Sequence, residues 1–312
     1  MEDSPEKQAE GSRIVQRMID DEFLSMLESK DLQIHFPMSG LLGGTRRSNA
    51  YGSSVEFADY REYTPGDDLR RIDWNLYARF EKLYLRLTVD ERQLHHRIYI
   101  DSSASMAWGG PSKGQMALKL AAALSFLAVR AMDRVSLYTV EGNRCRPIGR
   151  AFTGQNAFYE AVEGLNRVRF RGEADFEKAL LGAEEPGRND GLTVLLSDFL
   201  SECNIKNAVE YLCRRGREVC LLQVLSREEA APGLSGEWRL LDSEAGRDNG
   251  EKNVLLNISK QRKKAYKEAF LWYQKDLKTF CDRQKAGFLT VLCEEDFGEI
   301  LFRKATEGGL IQ

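Results

Sequence analysis

A series of apolar runs, each about as long as a strand and separated by helical segments, restricts the architecture of this chain more than any other feature. "RIYID" (97–101), "RVSLYTV" (134–140), "LTVLLSDF" (192–199) and "EVCLLQVL" (218–225) show little alternation of polar and apolar residues. A strand of that kind is buried on both faces, and helices supply the cover in a parallel sheet. The intervening segments are helical: "KGQMALKLAAALSFLAVRAMD", apolar nearly all round, then "NAFYEAVEGLNRV", "DFEKALLGA" and "IKNAVEYLCRRG", the last closed by glycine. The expectation is an α/β fold with a doubly wound, mainly parallel sheet, preceded by a small N-terminal region.

Residues 1–12 read as a polar, disordered tail. Residues 13–92 form the N-terminal region. Apolar residues at helical spacing from Ile14 to Leu32 predict one or two short helices, "SGLLGGTRRSNAYGSS" is a loop by composition, and "KLYLRLTV" alternates as a half-buried strand. Residues 93–312 form the main domain. Within it, residues 227–258 break the alternation and predict a hairpin that joins the sheet or covers its edge. A long helix from about Ser259 to Ala286 buries one face through Tyr266, Phe270, Tyr273, Leu277 and Phe280, and "FLTVLCEE" and "FGEILFRKATEG" close the domain as a strand and a helix.

Several function classes are disfavoured. The formal net charge is -3, so no global basic field points to nucleic acid or an anionic membrane. No run approaches the roughly 20 apolar residues of a membrane helix. The N-terminus lacks a signal-peptide core, and six scattered cysteines without a CxxC pair fit a reducing, cytoplasmic setting. "GGPSKGQ" is not a phosphate-binding loop, and His35, His95 and His96 are not spaced as zinc ligands. The basic start of the long helix, "SKQRKKAYK", reads as a solvated face.

Two strand ends carry the chemistry. The first ends in Asp101 and runs into Ser103 and Ser105; a later one ends in Ser197 and Asp198. Open α/β sheets bind ligands at the carboxyl ends of their strands. Carboxylates and hydroxyls meeting there form a hard-oxygen site suited to Mg²⁺, or to Mn²⁺. The competing reading makes Asp101 a turn cap and the serines loop filler. Upstream, "YTPGDDLRRIDW" centres a type II turn on Pro65 and Gly66, with Asp67 or Asp68 capping a helical turn and Arg70, Arg71 and Asp73 in ion pairs. Trp74 is expected to pack, making the segment a clasp on the main domain rather than a partner surface.

"DSSASM" with "LLSDF" resembles the metal-ion-dependent adhesion site of von Willebrand factor type A domains, which are Rossmann-like. "EFADYREYTPGDDLRRIDWNLYAR" closely resembles the signature of the bacterial family catalogued as domain of unknown function 58, where it stands immediately before a type A domain. "WRLLDSEAGRDNGE…RKKAYKEAF" resembles that family's tail, so the likeness covers roughly residues 30 to 305. It implies a von Willebrand factor A-like domain in residues 93–312 and an adaptor or scaffold working with a MoxR-type AAA+ ATPase. It also implies roles: Asp101, Ser103 and Ser105 hold the cation, Asp198 holds it through water, and an acidic side chain of a protein partner completes the shell. The family site takes a further threonine, and Ala174 stands at that position here, with Asp175 beside it as a substitute oxygen donor. The alternative function is a metal-dependent hydrolase acting through Asp101 and Asp198, for which no general base is legible.

Overall fold

A computed structural model describes residues 18–29, 57–88, 93–183, 191–201, 204–233, 236–241 and 253–300. The expected tail, the Gly/Ser/Arg-rich loop and the last helix beyond Ile300 lie outside the described residues.

Among the described residues, ten strands and eight α-helices of four residues or more follow in this order: α1 (Asp21–Ser29), β1 (Phe57–Glu62), α2 (Trp74–Phe80), β2 (Tyr84–Thr88), β3 (His95–Asp101), α3 (Lys113–Arg130), β4 (Arg134–Glu141), β5 (Arg144–Phe152), α4 (Gln155–Asn166), α5 (Phe176–Leu181), β6 (Leu192–Ser197), α6 (Ile205–Arg214), β7 (Glu218–Leu225), α7 (Arg227–Ala230), β8 (Gly236–Leu241), β9 (Asn253–Ile258), α8 (Lys260–Gln284) and β10 (Gly287–Leu292). The main sheet has six strands in the order β10-β7-β6-β3-β4-β5, and every neighbouring pair is parallel except β4–β5.

The period-two geometry of a strand divides the core. Ile98 and Ile100 of β3 join α1, α3 and α4 on one face, while Tyr99 joins α5, α6 and α8 on the other. This is the doubly wound arrangement read from the apolar runs. In α3, residues from Lys113 to Val129 are buried almost without interruption, as expected of a helix apolar all round. On α8, Phe270, Leu277 and Cys281 are buried, whereas Tyr266 stays partly exposed at the rim. Lys285, in the left-handed conformation, ends that helix two residues before Gly287, which opens β10.

The structure adds two strands, β5 and β1, to the reading of the sequence and excludes one alternative for the hairpin. Strand β5 was not legible, because "RCRPIGRAF" is polar and contains Pro147. It is the antiparallel edge of the sheet, where proline leaves no inner ladder bond unmade. The expected hairpin exists as β8–β9 but forms a separate two-stranded sheet. In the N-terminal region, β2 pairs antiparallel with β1 as another small sheet.

The PGDD turn forms as read. Gly66 has φ of 107°, Asp67 N–H donates to Thr64 O, and the Asp67 carboxylate accepts from Thr64 and pairs with Arg61 at 2.7 Å. Asp68 caps the 3₁₀ turn Leu69–Arg71. Asp73, expected in an ion pair, instead caps α2 and accepts from the Tyr60 hydroxyl. Trp74 is not buried: it is 62% exposed, alongside exposed Leu69, Tyr77 and Phe80. The clasp expectation fails at this residue, whose ring meets Tyr77 of the same helix edge-on and is otherwise left in solvent.

Candidate functional site

Parallel pairing of β3 with β6 sets Ile100 beside Leu196, which brings Asp101 next to Ser197 at the carboxyl edge of the sheet. Asp101 is 4% exposed. One of its oxygens accepts from the Ser103 backbone N–H at 2.8 Å, the other from the Ser197 hydroxyl at 2.5 Å. The Ser103 and Ser105 hydroxyls share a hydrogen bond of 3.0 Å. Backbone links from Ala104 N–H to Gly172 O and from Arg171 N–H to Ser102 O tie this loop to residues 170–174.

Burial pushes the Asp101 carboxyl up to about 6, against hydrogen bonds from Ser103 and Ser197 that favour the anion; the neighbouring Asp198 adds to the rise. A buried carboxylate with that balance is stabilised by any cation brought to it.

The second strand end is tightly built. Ser197 Oγ donates to Asp101 while accepting from Phe199 N–H, and Gln223 holds the Asp198 carbonyl. Phe199 has φ of 52°, unusual for a residue with a side chain, and is fixed by its buried ring against Phe176 and by the Tyr273 hydroxyl on its carbonyl. Asp198 accepts from Leu200 N–H with one oxygen and from Lys113 Nζ, at 2.6 Å, with the other.

Lys113 was not anticipated. It opens α3 and is fully buried, donating to Asp198 and, at 2.5 Å, to Glu229 of α7. Glu229 is itself fixed by a capping box with Ser226. Burial works against the Lys113 charge, but Asp198 and then Glu229 outweigh it and hold its pKa above the ordinary lysine value. Its sequence signal was a basic residue in the first turn of an otherwise apolar helix, a placement the helix dipole disfavours. Glu229 offered no such signal.

Asp175 stands apart in its bonding. It caps α5, accepting from Lys178 N–H and pairing with Lys178 Nζ at 2.9 Å. Ala174, next to it, is buried in the apolar cluster with Phe176. Among the described residues, no group of three or more His, Cys, Asp or Glu side chains is arranged to hold a metal ion. The hard-oxygen constellation is therefore one carboxylate and two hydroxyls, with Asp198 engaged by a lysine. Exposed Trp108, Leu200 and Glu173 lie on the loops that carry it. No described helix is long and apolar enough to cross a membrane.

The chain is 27% identical, over 232 residues, to uncharacterized proteins of Mycobacterium tuberculosis and Mycobacterium bovis, covering 73% of this chain and 73% of each of theirs. Among solved structures it is similar to a von Willebrand factor type A protein from Catenulispora acidiphila (12% identity, 72% of this chain, 43% of that one, TM-score 0.40). It is also similar to the conserved hypothetical protein BatB from Bacteroides thetaiotaomicron (14% identity, 61% of this chain, 98% of that one, TM-score 0.37). The family described as "Protein of unknown function DUF58" matches residues 59–272, more than half of the chain, and the chain belongs to that family.

Proposed function

We propose that this chain is a protein-interaction module that receives an acidic side chain of a protein partner at the carboxyl edge of its main sheet. The observation that carries this reading is the joining of Asp101, Ser103 and Ser105 with the β6 end in one cluster of hard oxygens. Exposed Trp108 and Leu200 on the same loops give a partner something to bury.

The residues present fit a divalent cation with few protein ligands. Two neighbouring ligands of an octahedral Mg²⁺ stand about 3 Å apart, and the Ser103 and Ser105 hydroxyls are separated by 3.0 Å. Asp101 supplies a buried carboxylate held by neutral donors, the Ser103 backbone N–H and the Ser197 hydroxyl. Asp101, Ser103 and Ser105 would hold Mg²⁺ or Mn²⁺. The bound ion would act as an electrostatic anchor for a partner carboxylate, with specificity left to the surrounding surface. Asp175, committed to α5, would serve the helix start rather than the ion.

The partner class implied by the family resemblance is a MoxR-type AAA+ ATPase, which would bring the nucleotide-driven work that this chain has no phosphate-binding loop to perform. Capture of co-encoded ATPases on immobilised protein, with Mg²⁺ and with EDTA, tests both halves. The expected result is a direct complex weakened by EDTA and by Asp101→Ala. Undiminished capture in both cases would keep the adaptor and remove the metal; no capture would remove this partner.

A further inference from the structure

Lys113 gives the site a cation of its own. Its ammonium is completely buried and lies between two carboxylates, 2.6 Å from Asp198 and 2.5 Å from Glu229. Those carboxylates arrive from different elements: Asp198 from the end of β6, Glu229 from α7 just beyond β7. The lysine backbone is also tied to the hydroxyl-bearing loop, since Lys113 N–H donates to Trp108 O. Asp198, which the resemblance makes a water-mediated holder of the ion, therefore has a resident partner on one oxygen and Leu200 N–H on the other.

We propose that Lys113 is a built-in competitor of the divalent cation: it reserves Asp198 and Glu229, confines the ion to Asp101, Ser103 and Ser105, and keeps divalent affinity low. The inference rests on the metal-assisted reading above, and concerns a residue that reading does not use. Asp198 neighbours Asp101 on one side and shares Lys113 with Glu229 on the other, so among the described residues that ammonium serves Asp198 and Glu229 and leaves the Asp101 charge to attract a second cation. That cation must nonetheless approach against the Lys113 charge, in an interior where screening is weak. An ion held in this way exchanges readily, and a partner carboxylate would contribute a large share of its binding.

The lysine also has a structural consequence. It bridges the start of α3 to the strand end and to α7, so the edge is pinned even when no divalent ion is bound. Removing it leaves buried Asp198 and half-buried Glu229 without the cation they share, each keeping only a backbone N–H, and a divalent ion is the natural replacement.

Isothermal titration of Mg²⁺ and thermal melts in EDTA or Mg²⁺ test the proposal on wild type, Lys113→Met, the double variant Lys113→Met/Glu229→Gln and the double variant Lys113→Met/Asp198→Asn. Lys113→Met should melt lower than wild type in EDTA, recover in Mg²⁺, and bind the ion at least tenfold tighter. The Glu229→Gln double variant, relieved of one unpaired carboxylate, should keep the tighter binding, and the Asp198→Asn double variant should lose it. If the Glu229→Gln double variant binds Mg²⁺ no tighter than wild type, the proposal is overturned while the metal-assisted reading stands on the wild-type titration. If wild type shows no binding and Lys113→Met binds, the lysine proposal stands and the metal-assisted reading falls. If none of the proteins binds, both fall.

Discussion

Burial holds the Asp101 carboxyl up at about 6, whereas the same group in the unfolded chain titrates near 3.8. The native state thus binds this proton more tightly than the unfolded state. Its contribution to stability is present below about pH 4 and is lost as pH rises through about 6, by about 3 kcal/mol as an order of magnitude. Asp101→Asn keeps the shape and removes the titration. In EDTA, urea unfolding should therefore show wild type gaining stability relative to Asp101→Asn between pH 7 and pH 4. Parallel curves would mean that the carboxylate is already compensated by a cation. Saturating Mg²⁺ should shrink the difference, because an ion on Asp101 lowers its folded-state pKa. The position of this carboxylate was readable from a polar residue ending an apolar strand. Its partnership with Ser197 required the β3–β6 register, which no local pattern contains.

At the scale of elements, legibility followed burial. Strands β3, β4, β6 and β7 were readable because sequestered strands must be apolar, and α3 because a helix against a sheet must be apolar all round. Edge elements obey neither constraint. β5 and β1 are polar enough to read as loops, and the hairpin's separation from the main sheet depends on pairing partners distant in sequence. The same logic applies to Trp74, an aromatic expected to pack in the clasp that the structure leaves largely in solvent. Trp74→Ala should shift stability by no more than about 0.5 kcal/mol in denaturant unfolding, the usual range for exposed positions; a larger loss would restore the clasp. A contrasting case stands at the entry to β6. Gly191 has φ of 88°, and a Cβ there would meet the His95 carbonyl oxygen at 2.5 Å. Backbone cannot rotate away as a side chain can, so Gly191→Ala should cost roughly 2–4 kcal/mol by the same measurement.

Across the whole molecule, the two ends of the main sheet are finished differently, and the difference bears on where the proposed partner would dock. At the amino end, buried His96 bonds Asp133 and accepts from Leu192 N–H, while Asp133 also accepts from Leu94 N–H. Short polar bonds close that end between strands. At the carboxyl end the polar groups turn inward on Asp101, Ser197, Asp198 and Lys113, and the loops above them expose Trp108 (60%) and Leu200 (40%). A large aromatic beside a buried polar centre is the usual makeup of an interaction hot spot, since its contact area excludes water from the charged contact next to it. In the proposed mode, one partner carboxylate on one ion is too small a contact for specificity, so this rim would carry much of the discrimination. Trp108→Ala and Leu200→Ala are therefore expected to weaken capture of the proposed ATPase partner together by at least tenfold, which is about 1.4 kcal/mol. Their melting temperatures and Mg²⁺ titrations should match wild type, because neither side chain bonds the oxygen site. Surface binding kinetics on the double variant would check this, with the loss expected mainly in the dissociation rate. Full-strength capture would move the docking surface elsewhere, and exposed Leu69, Trp74 and Phe80 on the N-terminal region would be the next face to vary.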